Sequence, residues 1–188
     1  MSARNSKLNL GTTLREALTL DANFYEHTPN TPRSRRLART IVILAAVSNT
    51  LGSAFILLIN RVTLPMLFLA LVINGIGVVL GYYFWTLTIW KIGDWFKPNH
   101  VTYRELLIPI GFAYAPQVLN FLTLIPLLGR PIQLILAAWS LLAVIVAVRQ
   151  GLDINPPWAA LICLIGWPLI QVAIGFLQVY EQTLMRSI

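Results

Sequence analysis

Charge is what this sequence has least of. Aspartate, glutamate, lysine and arginine make up 11% of its 188 residues, against about 25% in an ordinary soluble domain. There is one cysteine, Cys163, so no disulfide can close within the chain and a small disulfide-stapled scaffold is excluded. It lies in Leu161-Ile162-Cys163-Leu164, where it reads as a small buried hydrophobe rather than a reactive thiol. Histidine occurs twice. His100 near Asp94 lacks a third ligand at metal spacing. The chain has no HExxH, no GxSxG, no phosphate-binding P-loop and no paired carboxylates inside an apolar run. Intramembrane protease, lipase and ATPase chemistry therefore lack their usual residues. No enzyme is expected, and no catalytic residue, cofactor or metal ligand is assigned.

What the sequence has in abundance is apolar length. Between Ile41 and Tyr180 the charges fall between five blocks, Ile41–Asn60, Val62–Trp90, Leu106–Gly129, Pro131–Val148 and Ile154–Tyr180, and never inside one. A helix needs about 20 mainly apolar residues to cross a hydrocarbon core of about 30 Å. The expectation is an all-α bundle of five transmembrane helices over 41–180, preceded by a polar basic segment over 1–40 and followed by a short tail, 181–188. The polar segment is too long for the n-region of a secretory leader, and no small-x-small cleavage site follows the first block.

The net charge of +7 is unevenly distributed. Seven of the fourteen basic residues, Arg4, Lys7, Arg15, Arg33, Arg35, Arg36 and Arg39, precede the first block. With a cytoplasmic N-terminus and five spans, Lys91, Lys97, Arg104 and Arg149 join them, leaving Arg61, Arg130 and Arg186 on the far side. Eleven against three is a strong positive-inside bias. It predicts N-in, C-out and explains the charge better than a nucleic-acid footprint would. The partners expected are the bilayer, through anionic headgroups at the Arg33–Arg39 cluster, and another membrane protein or a second copy. No nucleic acid is expected.

Local signals fill in the segments. Thr13-Leu14-Arg15-Glu16 fits a capping box, and the segment reads either as a short amphipathic helix with Phe24 and Tyr25 as interfacial anchors or as a frayed cytoplasmic tail. Thr28-Pro29-Asn30-Thr31-Pro32 breaks that helix. Tyr82, Tyr83, Phe84, Trp85 and Trp90 form an aromatic belt, and a polar loop is expected over Lys91–Arg104. Thr102-Tyr103-Arg104-Glu105 is a second capping box, at the start of the third span. Pro109, Pro116 and Pro126 all fall in that span, so it should be bent or broken. Leu128-Gly129-Arg130 turns into the fourth span, and Asn155-Pro156 opens the fifth. Asn49, Asn74, Asn120, Gln133, Ser140 and Gln171, with Tyr114, are the polar groups at membrane depth. Each is expected to hydrogen-bond between helices.

Gly111-Phe112-Ala113-Tyr114-Ala115-Pro116 in the kinked span resembles the Gly-Tyr-x-x-x-Pro-like signature of the Yip family, membrane proteins named for interaction with Ypt/Rab GTPases. The Thr/Tyr-rich turn before it, the short turn after it, Trp139–Val148 and the loop Arg149–Asn155 extend the likeness over about 35–180. The resemblance implies five spans, a cytoplasmic N-terminus and a non-enzymatic scaffold in membrane organisation, trafficking or complex assembly. Eukaryotic members carry an Asp-Leu-x-Gly-Pro element before the first span. Asp21–Pro29 has none, which points away from Rab binding and towards a bacterial inner-membrane or organellar (thylakoid-type) relative.

Tyr114, Pro116 and Gly111, with Arg33, Arg35, Arg36 and Arg39, are accordingly the candidate interaction residues. The alternatives are a neutral-solute channel or transporter subunit whose broken third span lines a path with Tyr114, Asn120 and Gln133, and an accessory or assembly subunit of a bioenergetic membrane complex.

Overall fold

Two short helices precede the first long one. In the computed structural model, which describes residues 9–59, 61, 63–96, 101–125 and 128–166, α1 runs Leu10–Leu18 and α2 runs Ala22–Glu26. Asn9 caps α1: its side chain accepts from the Leu10 N–H at 2.9 Å, while the Thr12 hydroxyl accepts from the Asn9 N–H at 3.2 Å. The capping box expected at Thr13 and Glu16 is therefore displaced one turn upstream. Asn9 and Thr12 satisfy the helix's orphan donors first, and Thr13 lies buried inside the helix with its hydroxyl unpartnered. Leu20 makes the turn to α2 at φ 56°, and Asp21 caps α2 by accepting from the Asn23 N–H at 3.0 Å.

The long helix α3, Pro32–Ile59, carries Arg33, Arg35, Arg36 and Arg39 in its first two turns and continues without a break into the apolar run. After a reversal at Arg61, α4 spans Leu64–Phe96. Its 33 residues make it about 50 Å long. Lys91, Asp94 and Trp95, expected in a loop, are thus its last turns. Charge alone does not end a helix, and no proline follows Pro65 until Pro98.

The third segment is two pieces: α5, Tyr103–Phe112, then a 3-10 helix, Ala115–Leu124. α6, Gly129–Leu152, runs back and is closed by Asp153 in the left-handed conformation at φ 49°, ψ 54°. The shorter apolar helix α7, Pro156–Gly166, follows.

All the described elements are helices, and four segments are long and apolar enough to cross a membrane: Pro32–Ile59, Leu64–Trp95, Tyr103–Leu124 and Gly129–Leu152. The chain is a multi-pass integral membrane protein of the all-α class. The expected fifth span is described only as far as Gly166. Lys97, His100, Pro126, Gln171, Arg186 and the tail 181–188 lie outside the described residues.

Burial ranks the helices. The most apolar stretch of the third segment is 56% buried, that of α4 only 6%. The broken segment is therefore central and α4 peripheral, its Phe68, Val72, Ile76 and Leu80 turned outward. The core lies where α3 (Ala38, Ile41, Ala45), α5 (Leu106, Ile110, Phe112) and α6 (Ala143, Ala147, Val148) meet. Alanine on two of the three helices lets their backbones approach closely.

Candidate functional site

The break in the third segment follows from its prolines. Pro109 cannot donate to the carbonyl one turn back, so α5 is weakened in its middle. The Ala113 N–H still reaches the Pro109 carbonyl at 3.0 Å, but the Tyr114 N–H tightens onto Gly111 at 3.3 Å and the Gln117 N–H onto Tyr114 at 3.0 Å. Pro116 stands in the first turn of the 3-10 helix, where a missing N–H does little harm. The capping box Thr102/Glu105 is formed as expected, with the Thr102 N–H donating to Glu105 Oε2 at 2.8 Å.

Gly111, Tyr114 and Pro116 are all buried within the chain. A Cβ on Gly111 would stand 2.9 Å from Ala38 Cβ and 3.3 Å from the Tyr82 hydroxyl. Glycine is what lets α5 touch α3. Tyr82 donates to the Leu107 carbonyl at 2.6 Å, and its ring meets Tyr114 edge-on at 5.6 Å and 85°. One side chain of α4 thereby secures both α5 and the residue at the break.

The arginines meet this same place. Arg35 and Arg39 flank Ala38, and together with Tyr82, Tyr103, Arg104, Leu107 and Ile108 they line a cavity of about 560 Å³. Arg35 Nε donates to Asn30 Oδ1 at 3.0 Å. The two groups of residues singled out in the sequence, the Gly111–Pro116 break and part of the arginine cluster, are thus in contact through Ala38 and Tyr82. Arg33 and Arg36 do not line the cavity.

The N-terminal helices dock beside the break. Phe24 packs on Phe112 at 5.2 Å and on Tyr25 at 5.4 Å. Trp139 Nε1 donates to the Leu18 carbonyl at 3.1 Å, and the Tyr25 hydroxyl to the Ala17 carbonyl at 3.4 Å. Burial raises the Tyr25 phenol above its ordinary pKa range, so it stays a neutral donor. Phe24 and Tyr25, expected as lipid-facing anchors, are 3% and 4% exposed and anchor into protein. The same apolar faces serve either surface, and the groove between α5 and α6 is closer to hand.

Below the break the chemistry changes. Asn49 Nδ2 donates to Asn74 Oδ1 at 2.9 Å, Asn120 Nδ2 to Asn49 Oδ1 at 3.4 Å, and the Phe121 N–H to Ser48 Oγ at 2.8 Å. Asn49, Gln117, Asn120, Thr123, Arg130 and Gln133 help line a second cavity of about 430 Å³. Asn120 and Gln133 share it as a solute path would require, but Tyr114 is not among its lining residues. Ser140 is buried with its hydroxyl unpartnered. Among the described residues, no three His, Cys, Asp or Glu side chains lie close enough to hold a metal.

Sequence reasoning missed Ala38, Tyr82, Tyr103 and Trp139 as parts of the site and took Arg104 as a topology signal only. The aromatic belt and the second capping box contained three of these residues. What paired them, the register between helices, is not a local property.

A family model described as Yip1 domain matches residues 19–177, a stretch that takes in every described helix from α2 to α7. No curated protein matches the chain, and no solved structure does.

Proposed function

The chain belongs to the Yip1 domain family, and from that premise we propose that it is a non-enzymatic membrane interaction protein acting by contact in membrane organisation, trafficking or complex assembly. The observation that carries this reading is the docking of α1 and α2 against the broken third segment, through Phe24 on Phe112 and Trp139 on Leu18. It ties the N-terminal helices, which lead directly into the arginine cluster of α3, to the centre of the bundle. In this reading the N-terminus is cytoplasmic, the C-terminus lies on the opposite side, and the membrane is a bacterial inner membrane or an organellar one. Arg33 and Arg36 offer the partner-facing charge, and Gly111, Tyr114 and Pro116 hold the shape behind it.

The test is co-purification in mild detergent. A stoichiometric membrane-protein partner, or a second copy, should be retained by the wild-type chain. It should be lost when Arg33, Arg35, Arg36 and Arg39 are all changed to glutamine. Cysteine accessibility at position 61 must meanwhile stay on the far side. If orientation inverts instead, the cluster is only topogenic and the reading fails.

The polar cavity supports a second reading, a neutral-solute path through Asn120 and Gln133. Solute flux into liposomes containing only this protein, abolished by Asn120→Leu, would establish that reading over contact.

A further inference from the structure

The cavity beside the break has the chemistry of an anion seat at the edge of the membrane. Its cations come from two helices, Arg35 and Arg39 from α3 and Arg104 from α5. Among the described residues neither Arg39 nor Arg104 makes an ion pair. Arg35 is partly engaged by Asn30 and feels the Glu105 carboxylate, which itself caps α5. Three guanidinium groups against one carboxylate leave the cavity positive.

Its depth is set by the apolar runs. Arg39 lies two residues before Ile41, where the run of α3 begins, and Arg104 two residues before Leu106, where that of α5 begins. Both stand where a helix passes from water to hydrocarbon. The aromatic belt marks the same zone. The Tyr103 hydroxyl donates to the Tyr83 carbonyl at 3.1 Å, and Trp90 Nε1 donates to the Val101 carbonyl at 3.0 Å, with the Trp90 and Tyr103 rings 6.4 Å apart. These contacts pin the start of α5, and with it Arg104, which shares the cavity lining with Arg39. The floor is different: Ala38, Leu107 and Ile108 are apolar. A cationic rim over an apolar floor fits a molecule with a phosphate at one end and hydrocarbon at the other. Arginine's fork suits phosphate oxygens in particular.

We propose that this cavity seats one anionic phospholipid, its phosphate between Arg39 and Arg104 and its glycerol end over Ala38, Leu107 and Ile108. Such a lipid would bridge α3 and α5 at the level where Gly111 meets Ala38. The proposal goes beyond the contact role above and holds whether or not a protein partner exists.

The test offers the purified full chain, in mild detergent, an equimolar mixture of phosphatidylglycerol and phosphatidylcholine and reads the retained lipid by native mass spectrometry. Wild type should keep phosphatidylglycerol in preference by about tenfold, and the Arg39→Gln/Arg104→Gln variant should lose that preference. Arg33→Gln/Arg36→Gln removes the same charge outside the cavity and should retain it. Arg39→Lys/Arg104→Lys keeps the charge without the fork and should fall between; it also serves if the glutamine variant does not fold. Millimolar glycerol phosphate should not displace the lipid, because it has nothing for the apolar floor. Equal loss in the control variant would reduce the site to diffuse charge and overturn the proposal. So would the absence of any headgroup preference, or full displacement by glycerol phosphate, which would mark a soluble phosphate as the occupant.

Discussion

The two pieces of the third segment are neighbours in sequence and opposites in construction. In α5 every residue from Leu106 to Phe112 except the half-buried Leu107 is buried, and apart from the hydrogen bond of Tyr82 to the Leu107 carbonyl the contacts named above are apolar or aromatic. In the 3-10 piece only Ala115 and Pro116 are buried. The rest is held by hydrogen bonds from the Phe121 N–H to Ser48 Oγ and from Asn120 Nδ2 to Asn49 Oδ1, and it borders a polar cavity. The difference follows from geometry. An α-helix satisfies its own backbone and needs only a close apolar fit, which Gly111 and Ala38 supply. A 3-10 helix makes poorer hydrogen bonds, so within a membrane it must borrow donors and acceptors from its neighbours. Breaking the first piece should therefore cost packing, and breaking the second should cost hydrogen bonds.

The largest effect should come from Gly111→Val. The new Cβ falls 2.9 Å from Ala38 Cβ and 3.4 Å from the Ala38 backbone carbonyl carbon, so a helix must move. Overpacking of this kind costs about 1–3 kcal/mol or more. Thermal unfolding in detergent should show a large loss or no folded protein. If instead the variant melts with wild type, the α3–α5 contact is not close-packed and the contrast between the two pieces collapses.

Asn49→Leu attacks the other piece, removing the link between Asn74 and Asn120. Interhelical hydrogen bonds in membranes average about 0.6 kcal/mol, with a maximum near 1.7, so two of them should sum to about 1–1.5 kcal/mol. The same melt measures it. A loss as large as that for Gly111→Val would mean the 3-10 piece is held by packing after all.

These two residues also show what the sequence could and could not carry. The apolar blocks located the spans because hydrocarbon thickness imposes a length. Pro109 and Pro116 located the break because a missing N–H is a local fact, and Thr102 with Glu105 located the start of α5 for the same reason. Gly111 was visible as a small residue, but its partner Ala38 was not, since nothing in either segment states the register between helices. Thr13 with Glu16 makes an acceptable box, but Asn9 with Thr12 caps the helix one turn earlier and leaves Thr13 inside it. Lys91–Phe96 reads as loop from its charges, yet lysine is a good helix former and a single aspartate is too weak to stop a helix. Phe24 and Tyr25 make an apolar face whose pattern is the same whether lipid or Phe112 covers it.

The next smaller effect tests how α4 joins the first piece. Tyr82→Phe keeps the ring against Tyr114 and removes only the bond to the Leu107 carbonyl. That carbonyl already belongs to a helix, so its loss leaves no orphan group, and the expected change is about 1 kcal/mol. A twofold larger loss would show that Tyr82 also holds the cavity wall between Arg39 and Arg104.

The smallest effect should come from Tyr114→Phe, one ring away. Tyr114 lies at the break, 7% exposed, and its contact with Tyr82 is through the ring edge. The phenylalanine variant preserves the buried area and the edge-on pairing, which together are worth far more than a hydroxyl in that position. The expected shift is within about 0.5 kcal/mol, the range of substitutions that remove no essential contact. Tyr82→Phe and Tyr114→Phe delete the same atom type from two rings in contact, so their difference isolates what a hydroxyl contributes at the break. If Tyr114→Phe proves the costlier of the two, the phenol at the break is bonding something that the packing contrast does not contain, and the polar character of the lower piece reaches up to Tyr114.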